Sequence, residues 1–199
     1  MRVLLSVFIL LLLVACQNDN ANRIHELEFQ SLKVFPQPLA LDGIELISKS
    51  GDTVTLDDLT GHYSVLFFGF THCPDVCPTT LLDMQKINKK LEQANQPAPQ
   101  FVFISVDPER DTPQALNDYI AYFNPDFKAY TADAENLKKL ASQLGVAYQV
   151  EDHEPGDKTY QVDHTAAWFV LNQAAQRVGI FTTPHDVDII SADLQQLVQ

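Results

Sequence analysis

The sequence predicts an α/β fold, a central mixed sheet flanked by helices and carrying an amino-terminal hairpin. Three observations lead there. Residues 65–70 and 101–106 are continuous apolar runs bounded by turn residues, the pattern of strands buried on both faces. Apolar residues at helical spacing follow each run, so strand and helix alternate. Residues 166–171 and 176–181 then read as an antiparallel pair across Asn172-Gln173-Ala174-Ala175, ahead of a last amphipathic helix over 186–198. A length of 199 residues with 46% hydrophobic and 20% charged content suits one domain, and excludes a polytopic membrane protein and a disordered chain.

From the start, Arg2 is followed by an apolar run from Val3 to Val14, shorter than the ~20 residues that span a bilayer. The run ends Leu13-Val14-Ala15-Cys16, which resembles a bacterial lipobox: residues 1–15 are expected to be a signal peptide, and Cys16 the lipidated first residue of the mature chain. An ordinary signal peptide with an incidental cysteine, or an uncleaved short anchor, is the alternative. Each reading exports the domain, which is expected in the bacterial periplasm, anchored in the first case to a membrane through lipid. By resemblance to the sorting rule of enteric bacteria, Gln17 points to the outer membrane. Residues 16–38 are polar, close on Pro36-Gln37-Pro38, and read as a tether.

The domain is expected over residues 39–199. Residues 45–47 and 53–56 form a hairpin across Ser50-Gly51-Asp52. Leu81, Leu82, Met84, Ile87 and Leu91 mark a helix that stops before Pro97. A second helix over 113–123 opens with Asp111-Thr112 as cap and Pro113 in its first turn. Residues 128–131 suit a short strand, 135–144 a helix ended by Gly145, and 146–150 another strand before an acidic loop over 151–157. The order β–α–β then β–β–α is that of a thioredoxin-like sheet.

With 13 Lys+Arg against 26 Asp+Glu, the net charge is −13. Basic residues are scattered except for Lys89-Lys90 and Lys138-Lys139, so nucleic acid is excluded as a partner.

Once Cys16 is assigned to lipid, Cys73 and Cys77 remain, in Thr71-His72-Cys73-Pro74-Asp75-Val76-Cys77-Pro78. In an oxidising compartment such a pair is a disulfide, a redox couple or a metal site. Four residues apart at a strand-to-helix junction, the two side chains share a face if the first turn is helical. Their Cα atoms would then be roughly 6 Å apart, inside the disulfide window. A helix amino terminus favours the thiolate, which predicts lowered thiol pKa values. Thioredoxin-type redox helices place two residues between their cysteines and this chain has three, leaving room for a third ligand. Two soft thiolates favour Cu(I), with zinc as the rival. Of the six histidines, His72 is expected to point away from the cysteines, His25 lies in the tether, and His62, His153 and His185 are expected to be solvated. His164, in Val162-Asp163-His164-Thr165 directly before a strand, is the candidate third ligand.

Phe68-Gly69-Phe70-Thr71-His72-Cys73-Pro74-Asp75-Val76-Cys77-Pro78, Ser105-Val106-Asp107-Pro108-Glu109-Arg110-Asp111-Thr112-Pro113 and Val162-Asp163-His164-Thr165 together resemble the three motifs of the Sco/SenC family. The resemblance spans the domain from about residue 39 to the end. It implies a thioredoxin-like fold that binds one copper ion, as Cu(I) or Cu(II), through Cys73, Cys77 and His164. It further implies assembly of the dinuclear copper site in subunit II of cytochrome c oxidase, by copper delivery as a metallochaperone, by thiol–disulfide reduction of that site's cysteines, or by both. A copper-donor protein and a thiol reductant are the other partners expected. A copper buffer, or an oxidoreductase with no metal role, is the competing reading. Asp107 is a candidate outer acid or partner contact, with a turn bound to Arg110 as the alternative, and Asp163 a candidate to orient His164.

Overall fold

The computed structural model describes residues 19–154 and 156–199. The expected signal peptide, the lipidation site Cys16 and Gln17 lie outside them. No helix among the described residues is long and apolar enough to cross a membrane.

The core is one eight-stranded mixed sheet. Strands β4 (Ser64–Gly69), β5 (Gln100–Ser105) and β6 (Lys128–Thr131) run parallel; β9 (Trp168–Leu171) and β10 (Arg177–Phe181) extend the sheet antiparallel beyond β4. All six residues of β4 are buried, as its uninterrupted apolar run requires of a central strand. Trp168, Phe67, Phe68, Phe101, Phe103, Phe169 and Phe181 are fully buried around it, each side chain contributing about 1.5–3 kcal/mol by its removal from water. The hairpin β2 (Glu45–Ser48) and β3 (Thr53–Thr55) adds the far edge through β6. The α/β, thioredoxin-like arrangement is therefore as expected.

Helix α2 (Val76–Gln93) buries Leu81, Met84, Ile87 and Leu91, residues that recur on one face. Helix α3 (Pro113–Phe123) starts where Thr112 accepts from the Ala115 amide, and α4 (Ala134–Leu144) ends at Gly145 with φ +83°. Helix α5 (Val187–Val198) is capped by Asp186.

Two departures from the expected layout matter. Residues 16–38 are not a tether throughout. Helix α1 (Asp19–Glu26) precedes β1 (Lys33–Leu39), which pairs with β10 at the sheet edge, and Ile24 and Leu32 are buried. The buried Asp193 carboxylate of α5 fastens this segment, accepting from the amides of Gln30, Ser31 and Leu32 at 2.7–2.9 Å. Pro36 and Pro38 fit an edge strand, which can spare their missing N–H groups. The second departure is a separate two-stranded ribbon, β7 (Tyr148–Val150) with β8 (Val162–His164), joined to the large sheet by no strand ladder among the described residues.

Candidate metal centre

The loop after β4 carries both cysteines to the start of α2. The helix begins at Val76, so Cys73 precedes it and Cys77 stands in its first turn, rather than both lying on one helical face. Cys77 is wholly buried and Cys73 half-buried; both are free thiols. The Cys77 amide donates to Cys73 Sγ at 3.4 Å.

The buried sulfur rests against Gly69, where a Cβ would stand only 2.7 Å from it, so the side-chain-free position is what admits the thiol. Burial pushes the Cys77 thiol well up, outweighing the Phe70 backbone that favours the thiolate. The expected lowering at a helix terminus therefore does not hold for Cys77, because loss of solvation exceeds the field of one helix end. A cation bound at the sulfur would displace the proton outright.

His164, at the end of the ribbon, closes the site. Its Nδ1 lies 3.2 Å from the Thr165 carbonyl, an oxygen that only accepts, so in this contact Nδ1 carries the proton and Nε2 holds the lone pair. Nε2 faces Cys77 Sγ at 3.4 Å. The rings of Phe67 and Phe70 meet the imidazole edge-on at 5.6 and 6.2 Å, and burial holds its pKa below the ordinary value. A neutral ring with its lone pair turned to a thiol is a ready ligand.

The donor atoms of Cys73, Cys77 and His164 all lie within 4.8 Å of one another. A trigonal ion bonded at about 2.3 Å to sulfur and about 2.0 Å to nitrogen would separate such donors by about 4 Å, so the residues fit a metal with small adjustments. His164 also borders an open cleft of about 370 Å³ lined by Tyr148, Gln149, Asp163 and Thr165.

The other candidates fall elsewhere. Asp107 is buried, paired with Arg110 and hydrogen-bonded by Tyr160 Oη at 2.6 Å; it is the turn acceptor, and burial removes it as a partner contact. Asp163 is exposed on β8, and the carbonyl of Thr165 orients His164 in its place. His72 stays local, 3.0 Å from Thr71 Oγ1. His153 and His185 are not simply solvated: each stacks on an aromatic ring, Tyr160 at 3.6 Å and Trp168 at 4.1 Å.

Asp111 was expected only to help cap α3. It is fully buried, accepting from the Thr71 amide at 2.9 Å and hydroxyl at 2.5 Å and from Ser105 Oγ at 2.6 Å, and so anchors the start of the cysteine loop to the end of β5. Burial raises its pKa, with these hydrogen bonds opposing. A buried polar side chain in mid-motif carries no distinguishing sequence period.

Residues 42–199 match the family model described as SCO1/SenC. An SCO2-like protein of Rickettsia prowazekii is 34% identical over 77% of this chain and 72% of its own. The mitochondrial protein SCO1 homolog 1 of Arabidopsis thaliana is 36% identical over 73% of this chain, which spans only 43% of that protein. Among solved structures, copper-bound ScoI of Arabidopsis thaliana superposes with a TM-score of 0.69 at 34% identity, covering 79% of this chain and 98% of its own. Apo Sco1 of Thermus thermophilus gives 0.74 at 36%, covering 86% and 98%.

Proposed function

The chain belongs to the SCO1/SenC family, and from that premise we propose that it is a copper metallochaperone binding one copper ion through Cys73, Cys77 and His164. The observation that carries the reading is the convergence of two thiols and one lone-pair imidazole nitrogen at one point, beside a relative of the same fold solved with copper bound. Two thiolates alone can hold Cu(I), whereas Cu(II) needs the imidazole as a third strong donor and a further weak ligand beside it.

Delivery follows from unequal exposure. Half-buried Cys73 is the sulfur that an acceptor cysteine reaches first: its bond to copper breaks as the acceptor's forms. Buried Cys77, with half-buried His164, holds the ion until a second acceptor ligand arrives through the open side. We assign the acceptor as the dinuclear copper site of cytochrome c oxidase subunit II, with copper received from a donor protein. The protein would work in the bacterial periplasm, tethered through lipid on Cys16.

The amide of Cys77 directed at Cys73 Sγ favours a second activity. Cys73, as thiolate, attacks an acceptor disulfide to form a mixed disulfide. Cys77 then attacks Cys73, releasing the acceptor's two thiols and leaving a Cys73–Cys77 disulfide for a thiol reductant to reopen. A copper buffer would share the binding and lack the transfer.

Copper titration of the purified protein beside His164→Ala tests the site. One equivalent of Cu(II) with thiolate-to-copper charge transfer is expected, and undiminished Cu(II) affinity in the variant would refute the three-ligand reading. Deletion of the gene should lower oxidase activity; rescue by added copper supports delivery, whereas persistent loss supports thiol reduction.

A further inference from the structure

We infer that Arg110, held by Asp107 and Tyr160, is a positioning residue that fixes His164 against the two cysteines. This rests on the copper-binding reading above. The ligands come from two pieces with no common strand ladder: the cysteines from the large sheet, His164 from the β7–β8 ribbon. The backbone links His164 to the large sheet only through residues 165–167 into β9, which leaves side chains to fix where the ribbon sits against the cysteines.

Arg110 makes that connection. It lies in the loop between β5 and α3 and is buried with Asp107 as its ion partner. Its Nη1 donates to the carbonyls of Tyr160 at 2.8 Å and Lys158 at 3.1 Å, gripping the loop that enters β8 only a few residues before His164. Its guanidinium lies 3.6 Å from the centre of the Tyr160 ring, and Tyr160 Oη donates back to Asp107. The opposite face of that ring carries His153, whose Nε2 meets Glu109 at 2.9 Å. Toward the site, Arg110 stands 5.4 Å from the centre of Phe70, the ring that packs edge-on to His164 and precedes the cysteine loop. One side chain thus touches both ligand-bearing pieces. A planar fork can grip two carbonyls, an ion partner and a ring at once, and an ammonium cannot.

Loosening the grip should cost the histidine bond while sparing the thiolates. In purified full-length protein, Arg110→Lys is expected to lower Cu(II) affinity about 10–100-fold and to weaken the Cu(II) charge-transfer band, while Cu(I) affinity holds. Tyr160→Phe, which removes one hydrogen bond and keeps the ring, should shift both readouts in the same direction by less, and decides the matter if Arg110→Lys fails to fold. Unchanged Cu(II) binding in the folded variants would overturn the inference, as would an equal fall in Cu(I) and Cu(II) affinity, the mark of general loss of structure. Wild-type protein that binds no copper, or His164→Ala that binds as wild type does, would instead bring down the copper-binding reading.

Discussion

Gly69 and Cys77 are in mutual contact: a Cβ on the glycine would fall 2.7 Å from Cys77 Sγ and 2.8 Å from Phe103 Cε2. Strand β4 thus supplies the floor on which the buried sulfur rests. Gly69→Ala forces the sulfur or the ring to move, an overpacking that costs about 1–3 kcal/mol. Copper affinity should fall by at least about tenfold, as when a ligand's supporting group is altered. Equal affinity in the two proteins, measured by competition with a chelator, would contradict this contact.

The two thiols should react at different rates. Cys77 is wholly buried with its thiol pushed up by desolvation, and Cys73 is half-buried. Near neutral pH a thiol alkylating reagent should modify Cys73 first, with Cys77 lagging by more than about tenfold, the factor one unit of pKa supplies. Peptide mapping after brief labelling reads the order, and equal labelling would show that Cys77 is accessible.

Asp193→Ala should release the amino-terminal segment. Three amides lose a buried carboxylate acceptor, at a cost of about 3 kcal/mol. Hydrogen exchange at residues 30–34 should accelerate more than exchange in β4. A uniform rise across both would mean that the segment and the core open together.

Two histidines should give stability opposite slopes with pH. Burial against Trp168 lowers the pKa of His185 below 6.5, so between that native value and 6.5 the unfolded chain binds more protons; the stability is present above this window and lost as pH falls through it. The Glu151 carbonyl and the Glu109 carboxylate raise His153 above 6.5, so its contribution is present below 6.5 and lost as pH rises through the raised value. Denaturant unfolding of His185→Gln between pH 5 and 6.5 should therefore show a shallower rise with pH, and His153→Gln between pH 6.5 and 8 a shallower fall. Slopes identical to wild type would refute both assignments.

Much of this was legible in the chain. The runs at 65–70 and 101–106 became β4 and β5 because a strand covered on both faces must be apolar throughout. Cys73 and Cys77 stood out by type and spacing, whereas His164 needed the family resemblance to separate it from five other histidines. Asp111, Gly69 and Asp193 were not legible as functional positions, since each acts through a partner that no local period points to: Thr71, Cys77 and the amides at 30–32. The same holds for His153 and His185, whose rings found aromatic faces that no local pattern specifies.

By itself, the sequence determined the order of strands and helices from β2 to β7 and from β9 onward, the acidic character and the pair of candidate sulfur donors, because apolar periodicity and ligand chemistry are properties of residue type and spacing, while the resemblance to a family singled out His164. Tertiary structure alone decided that Cys77 is buried with a raised pKa, that the Thr165 carbonyl fixes which histidine nitrogen faces it, and that Arg110 touches both pieces bearing the candidate donors. Desolvation, tautomer and reach depend on what lies within a few ångströms in space, and folding brings those neighbours from elsewhere in the chain.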